Sequence, residues 1–191
     1  MADVGVRPAR REDAPAVAAT QIRAWKAGYR DLLPEAALAQ MTGPAAEELW
    51  RRQWEEAVVT PPTPRHRLLV AVEAEDVLDQ VAGGPGGGRV VGLASHGPAE
   101  DPDVEPGTTA ELLTLLVDPD HIRRGHGSRL LNATVDHLRE DGFTTVVTWA
   151  FAEDSATLGF LESAGWGPDE VERVLDMERP IRMIRLATDI A

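Results

Sequence analysis

The chain has 191 residues, long enough to bury one core and too short for a second to be expected, so residues 1–191 read as a single domain. Its lack of cysteine excludes disulfides, thiolate metal sites and a cysteine nucleophile, and its formal net charge of -13 argues against binding nucleic acid through phosphates. No long apolar run and no charged-then-apolar leader is present, so neither a membrane span nor a secretory signal is expected, and the expected compartment is cytoplasmic.

Val4, Val6 and Pro8 suggest a short strand, after which Arg11-Glu12-Asp13 and Ala14 open a helix carrying Val17, Ile22, Trp25 and Tyr29 at helical spacing. Pro34 begins a second helix that ends near Met41. Pro44 starts a third, whose Leu49, Trp50 and Trp54 are expected to share a face. Thr60-Pro61-Pro62-Thr63-Pro64 is a stiff connector to a strand from Arg67 to Glu73, and Val90 to His96 makes the next strand. Between these strands, Val81 to Gly88 contains the run GGPGGG. With no lysine, no following helix and a proline inside, it reads as a hairpin tip and not a phosphate loop. His96 to Gly107 is a polar, acidic loop.

Leu112, Leu113, Leu115, Leu116 and Val117 form an apolar segment closed by Asp118-Pro119, which reads as a strand buried on both faces. After the turn RRGHG, Leu130, Leu131, Val135 and Leu138 recur at helical spacing with Arg129, Asp136, Arg139 and Glu140 on the wet side, until Asp141-Gly142. Glycines at the mouth of a helix let backbone N–H groups face outward, and the helix dipole adds positive charge there. Arg123, Arg124 and Arg129 surround this turn on an otherwise acidic chain, so an anion such as phosphate is its natural ligand. A Walker loop would need a lysine followed by serine or threonine after its last glycine, and a dinucleotide fingerprint would need a glycine where Leu130 stands.

Thr145 to Phe151 is β-branched and aromatic, hence a strand, and Ser155 to Ala164 reads as a helix capped by Asp154 and stopped by Gly165. Val171 to Met177 and Ile181 to Leu186 are the last strands, with Glu178-Arg179-Pro180 as their turn. His121, His126 and His137 show no zinc-ligand spacing supported by a third residue, so no metal is expected and a solvated surface histidine is the plain reading. His126 is also placed to donate to a phosphate.

The segment VDPDHIRRGHGSRLL resembles the acyl-CoA-binding motif of the GNAT acetyltransferase family, Q/R-x-x-G-x-G/A. Gly125 and Gly127 match, and Ile122 stands where Gln or Arg is usual. EDSATLGFLESAGW is similar to the family's N-x-x-A-x-x-F-Y-E-x-x-G-F through Phe160, Glu162, Gly165 and Trp166, while Asp154 replaces Asn, Thr157 replaces Ala and Leu161 replaces Tyr. AWKAGYRDLLP, with the tryptophan-bearing helix after it, resembles the amino-terminal part of a subset of the family.

The resemblance implies an α/β GNAT acyl-CoA N-acyltransferase fold, a mixed, mostly antiparallel central sheet of about seven strands flanked by helices. It implies acetyl-CoA as donor, its pyrophosphate held at Arg123, Arg124, Gly125, His126, Gly127 and Ser128. The pantetheine arm would lie along Leu115, Leu116 and Val117, where the strands from Glu111 and Thr145 splay apart, and Asp154 occupies the place of a cofactor-bonding Asn. Trp25 and Tyr29 fall on helices that line the acceptor pocket in relatives, or else pack the core. A homodimer is the assembly that relatives suggest.

An amine with a pKa near ~10 is mostly protonated at neutral pH, so acyl transfer needs a group to remove a proton. Glu111 is the candidate: it matches a Glu that serves as general base in part of the family, although a strand-end carboxylate paired with an arginine fits the residue equally. Leu161 cannot protonate the leaving thiolate as a tyrosine would. Three answers remain: water, Tyr29, or a protein that binds acyl-CoA without turnover, and water is the favoured one. The function expected is acetyl transfer to a primary amine of a small molecule or peptide, and the acidic surface suits either a cationic acceptor or plain solubility. The rivals are a non-catalytic acyl-CoA-binding sensor or interaction module, and a scaffold without ligand.

Overall fold

A computed structural model describes residues 4–74 and 88–191. Along the chain lie β1 (Val4–Pro8), α1 (Ala14–Gly28), α2 (Glu35–Thr42), α3 (Pro44–Val59), β2 (Arg67–Glu73), β3 (Arg89–Pro98), β4 (Thr109–Val117), α4 (His126–Glu140), β5 (Thr145–Phe151), α5 (Ser155–Ser163), β6 (Gly167–Met177) and β7 (Arg179–Asp189). The strands form one seven-stranded sheet in the order β1-β2-β3-β4-β5-β7-β6. Every neighbouring pair is antiparallel except β4 and β5, whose parallel pairing requires the crossover through α4. The expected hairpin tip at 81–88 lies, but for Gly88, outside the described residues.

Alternation along the strands sets two cores. Leu69 and Ala71 of β2 face α4, whose Leu130, Leu131 and Leu138 pack with Ala110, Leu112, Val146 and Leu186. Leu68 and Val70 face the other way, joining Val17 of α1 and Leu93 to the partly buried Trp54 and Val58 of α3. Because helices cover both faces, the inner strands read as continuous apolar runs. Each fully buried leucine, such as Leu130 or Leu138, contributes about 1.5–3 kcal/mol of burial.

Three local expectations change. Arg11–Asp13 form a 3-10 turn before α1 begins at Ala14. Leu49 is 51% exposed and does not share the face of Trp50 and Trp54, whose indoles donate to Met41 O and Gln21 Oε1; one helical position is enough to rotate it off the stripe. At the β6–β7 connection Glu178 alone makes the turn, at φ 65°, and Arg179 and Pro180 already belong to β7.

Candidate active site

β4 departs most from expectation, and the site follows from it. It is not buried on both faces: Leu113 is 51% exposed, and Leu115, Leu116 and Val117 are half-buried. Against β3, Leu112 faces His96 and Thr114 faces Ser95, which leaves Leu113 as the extra residue of a bulge. The bulge bends β4 away from β5, so the parallel ladder holds only at Thr109–Thr145, Ala110–Val146 and Glu111–Val147. Beyond that point β5 keeps β7 and β4 keeps β3. Where the ladder ends, Thr148 Oγ1 donates to the Leu112 carbonyl at 2.7 Å, satisfying an acceptor that would otherwise be buried alone.

At the far end of β4 the chain turns on Asp118, which is fully buried. Its Oδ2 accepts from Arg23 Nε and Nη2 at 2.8 and 2.6 Å, and its Oδ1 accepts from the Asp120 N–H at 3.0 Å. Burial pushes this carboxyl up, but Arg23, the Asp120 amide and His121 outweigh it and hold it below the usual carboxylate range. Arg123 and Gly125 then take left-handed backbone, at φ 63° and 83°. Among the described residues, none of the N–H groups of 123–128 donates to a protein acceptor. Four amides at a helix start lack intrahelical partners by geometry, and here the turn before them is open as well. Arg123, Arg124 and Arg129 are exposed around it, with Arg129 Nη1 donating to the Arg124 carbonyl at 3.0 Å. Ser128 is exposed on the first turn of α4. Gly127 packs against the Phe160 ring, where an added Cβ would sit 3.5 Å away, an ordinary contact.

The histidines correct the surface reading. The His126 side chain is fully buried, with Nε2 donating to Glu73 Oε1 at 2.8 Å, so its ring cannot reach a phosphate and only its backbone faces the turn. At the first position of α4 the amide points out of the helix end while the ring points down onto the sheet. His121 is buried between Asp118 and Glu73, and His137 is half-buried beside Arg67. Among the described residues, no group of three or more His, Cys, Asp or Glu could hold a metal.

Glu111 closes the ladder on the face opposite α4. It is half-buried and has no ion-pair partner among the described residues, so the arginine-paired alternative is not what the fold builds. Burial raises its pKa and Asp101 adds to the shift, with Arg173 opposing. Beside it, Arg185 is 3% exposed and donates to Asp101, Asp103 and Asp169 over 2.6–3.0 Å, while Trp149 Nε1 also donates to Asp101 and Arg173 stacks 4.2 Å from the Trp149 ring centroid.

Trp25 and Tyr29 are half-buried in an aromatic column. Trp25 meets Trp50 edge-on at 5.1 Å, and Tyr29 meets Phe151 edge-on at 5.0 Å. Burial first and Asp154 second push Tyr29 up to about 12, so its phenol stays protonated. Asp154 caps α5, with Oδ1 accepting from the Thr157 N–H and Oδ2 from its hydroxyl, which occupies both oxygens. Leu161 is 2% exposed in the core, so no side chain at that position offers a proton.

Sequence reasoning missed Thr148, Glu73 and the Arg185 cluster. The first two carried a signal: Glu73 continues the Leu69, Ala71 alternation, and Thr148 lies between Val146 and Ala150, so each puts a polar group on a core-facing position. Nothing local marks Arg185, whose partners lie 16 to 84 residues away.

A mixed sheet parted between β4 and β5, with an open basic turn where the crossover helix begins, is the GNAT acyl-CoA N-acyltransferase fold. The PaiA N-acetyltransferase of Thermoplasma acidophilum, solved with coenzyme A, superposes with a TM-score of 0.71 at 14% identity, covering 98% of this chain and 99% of that one. YncA of Salmonella typhimurium, solved with acetyl-CoA, gives 0.67 at 18% identity over 99% and 95%. Residues 38–166 match the Acetyltransferase (GNAT) family, and the chain belongs to that family. Its members are acetyltransferases that draw on acetyl-CoA and pass the acetyl group to amines. The uncharacterized N-acetyltransferase YuaI of Bacillus subtilis (strain 168) is 23% identical over 155 residues, 81% of this chain and 76% of the relative.

Proposed function

We propose that the chain works as a single domain that transfers the acetyl group of acetyl-CoA directly to a primary amine of a small molecule or peptide. The observation that carries this reading is the turn at 123–128, whose amides have no protein acceptor among the described residues and whose rim holds Arg123, Arg124 and Arg129. Its donors suit the coenzyme's diphosphate, and the parted edge of β4 at Leu115, Leu116 and Val117 suits the pantetheine arm as an added strand. The donor supplies an acetyl carbon activated as a thioester.

The amine nitrogen attacks that carbon, an N–C bond forms and the C–S bond breaks. Glu111 takes the amine's proton, directly or through water; its raised pKa matches it to this task, and it stands at the apex where β4 and β5 part. The sulfur leaves as a thiolate and takes its proton from water, a tolerable departure for a thiol with a pKa near ~8.5. With no cysteine, no covalent relay through a thiol intervenes. Trp25 and Tyr29 line the acceptor side, and the carboxylates near Glu111 favour a cationic acceptor.

Leu161 is the observation that favours a second reading, an acyl-CoA-binding sensor that does not turn over, because it supplies no proton donor. Titration calorimetry with coenzyme A on the wild type, Gly125→Asp and Arg124→Glu, followed by a thiol-release screen over amines and peptides, separates them. Binding lost in both variants together with release for some amine supports the enzyme; binding without release across a broad panel supports the sensor. Equal affinity in all three proteins would place the cofactor elsewhere.

A further inference from the structure

The buried His126 and its half-buried partner Glu73 lie directly behind the open turn and have no part in the chemistry above. Glu73 ends β2 and faces α4. Its Oε1 accepts from His126 Nε2 at 2.8 Å, and its Oε2 lies 3.6 Å from both His121 Nε2 and Arg124 Nη1. One carboxylate therefore draws in three residues that flank or form the turn. By charge alone, a carboxylate behind an anion site works against the anion. Its use must lie in what it holds.

The contacts continue. His121 Nδ1 is 3.3 Å from Asp118 Oδ1, and Asp118 is clamped by Arg23 of α1. The turn is thus pinned at its entry through Asp118 and at its exit through His126, and between them lie the exposed, left-handed Arg123 and Gly125. Fixing both ends of a short segment removes the ordering cost that a ligand would otherwise bear when the amides converge on it.

We propose that Glu73 is a positioning residue for the donor: through His126 it holds the start of α4 and the turn before it in the shape that grips the coenzyme's diphosphate. This rests on the turn being the diphosphate site. Because the diphosphate is remote from the reacting carbon and bound alike in ground and transition states, losing the clasp raises KM for acetyl-CoA and leaves kcat little changed.

The test compares Glu73→Ala, Glu73→Gln, His126→Leu and the Glu73→Ala/His126→Leu double variant, with coenzyme A affinity by calorimetry as the main readout. Steady-state kinetics with an amine found in the screen follow. Glu73→Ala is expected to weaken coenzyme A roughly tenfold or more, the loss expected for one hydrogen bond to a charged group. Glu73→Gln keeps an oxygen for His126 Nε2–H and recovers most of the affinity. The double variant binds no worse than the weaker single one, because the two residues act as a unit. Should Glu73→Ala fail to fold, Glu73→Gln and His126→Leu carry the comparison.

Wild-type affinity in Glu73→Ala or His126→Leu, a Gln variant as weak as the Ala variant, or a fall in kcat at constant KM overturns the clasp. Gly125→Asp keeps the two claims apart. If it abolishes binding while the Glu73 and His126 variants bind normally, only the clasp is wrong; if it too binds normally, the diphosphate site itself is misplaced.

Discussion

Replacing each glycine of the turn by alanine separates two demands that the motif presents as one. Gly125 sits at φ 83°, and a non-glycine residue in left-handed backbone costs about 1–2 kcal/mol. Its new Cβ would lie 3.3 Å from Arg129 Nη1, so that guanidinium would shift and strain its bond to the Arg124 carbonyl. Gly127 lies inside α4, and its new Cβ would meet Phe160 Cζ at 3.5 Å, an ordinary contact. Alanine there gains up to ~1 kcal/mol of helix propensity. The two variants should therefore differ by about 1–3 kcal/mol, which at roughly 2–4 °C per kcal/mol for a chain of this size separates their melting temperatures by roughly 2–12 °C. Thermal melts followed by circular dichroism read the difference, and calorimetry should find coenzyme A bound more tightly by Gly127→Ala than by Gly125→Ala. If Gly127→Ala melts as low as Gly125→Ala, or Gly125→Ala melts like the wild type, the assignment of left-handed backbone to Gly125 as the turn's requirement is wrong.

If Glu111 is the base, Glu111→Gln should lower kcat by roughly 10²–10⁴ and remove the acid limb of the kcat/KM profile, which in the wild type should lie above the usual carboxylate range because burial raises this group. A folded pKa above the unfolded one makes stability fall as pH rises from the ordinary carboxylate range through the raised value, so the Gln variant should melt above the wild type at neutral pH, with the gap closing on acidification; a gap that widens in acid contradicts the raised pKa. Arg185→Met leaves Asp101, Asp103 and Asp169 without their shared cation, which urea denaturation should register as a lowered midpoint. The same change should move the Glu111 limb further up, and an unmoved limb would break the electrostatic link between the two.

The turn was legible because its information is local. Glycines, arginines and the start of an amphipathic helix occupy consecutive positions, and the left-handed Gly125 is what a helix mouth of this kind requires. The exposure of β4 was not legible. Leu112 and Leu113 are chemically identical, and what separates a core residue from one 51% exposed is the register against β3, set by residues Ser95 and His96 some distance away. A bulge belongs to two strands at once, and a single-strand pattern cannot display it. The histidines failed for the same kind of reason: His126 sits at the edge of a basic, glycine-rich turn, and its burial depends on a glutamate 53 residues earlier. Asp154 was read correctly as a cap because both its partners lie on Thr157, three residues on.

The length of β4 constrains the donor on the reading proposed here. Glu111 and Val117 are six positions apart, which at 3.3 Å per residue is about 20 Å, and the open turn lies further still. A small acyl donor held at the turn would leave its acetyl group far from Glu111. A donor gripped by its diphosphate reaches the apex only through an extended arm laid along the free edge of β4, where the bulge at Leu113 has already turned the strand from β5 and Thr148 has taken up the Leu112 carbonyl. The same separation keeps the cationic turn away from the carboxylates around Glu111 by more than the ~8 Å over which exposed charges act at physiological salt, so a basic donor site and an acidic acceptor side coexist on one sheet without cancelling.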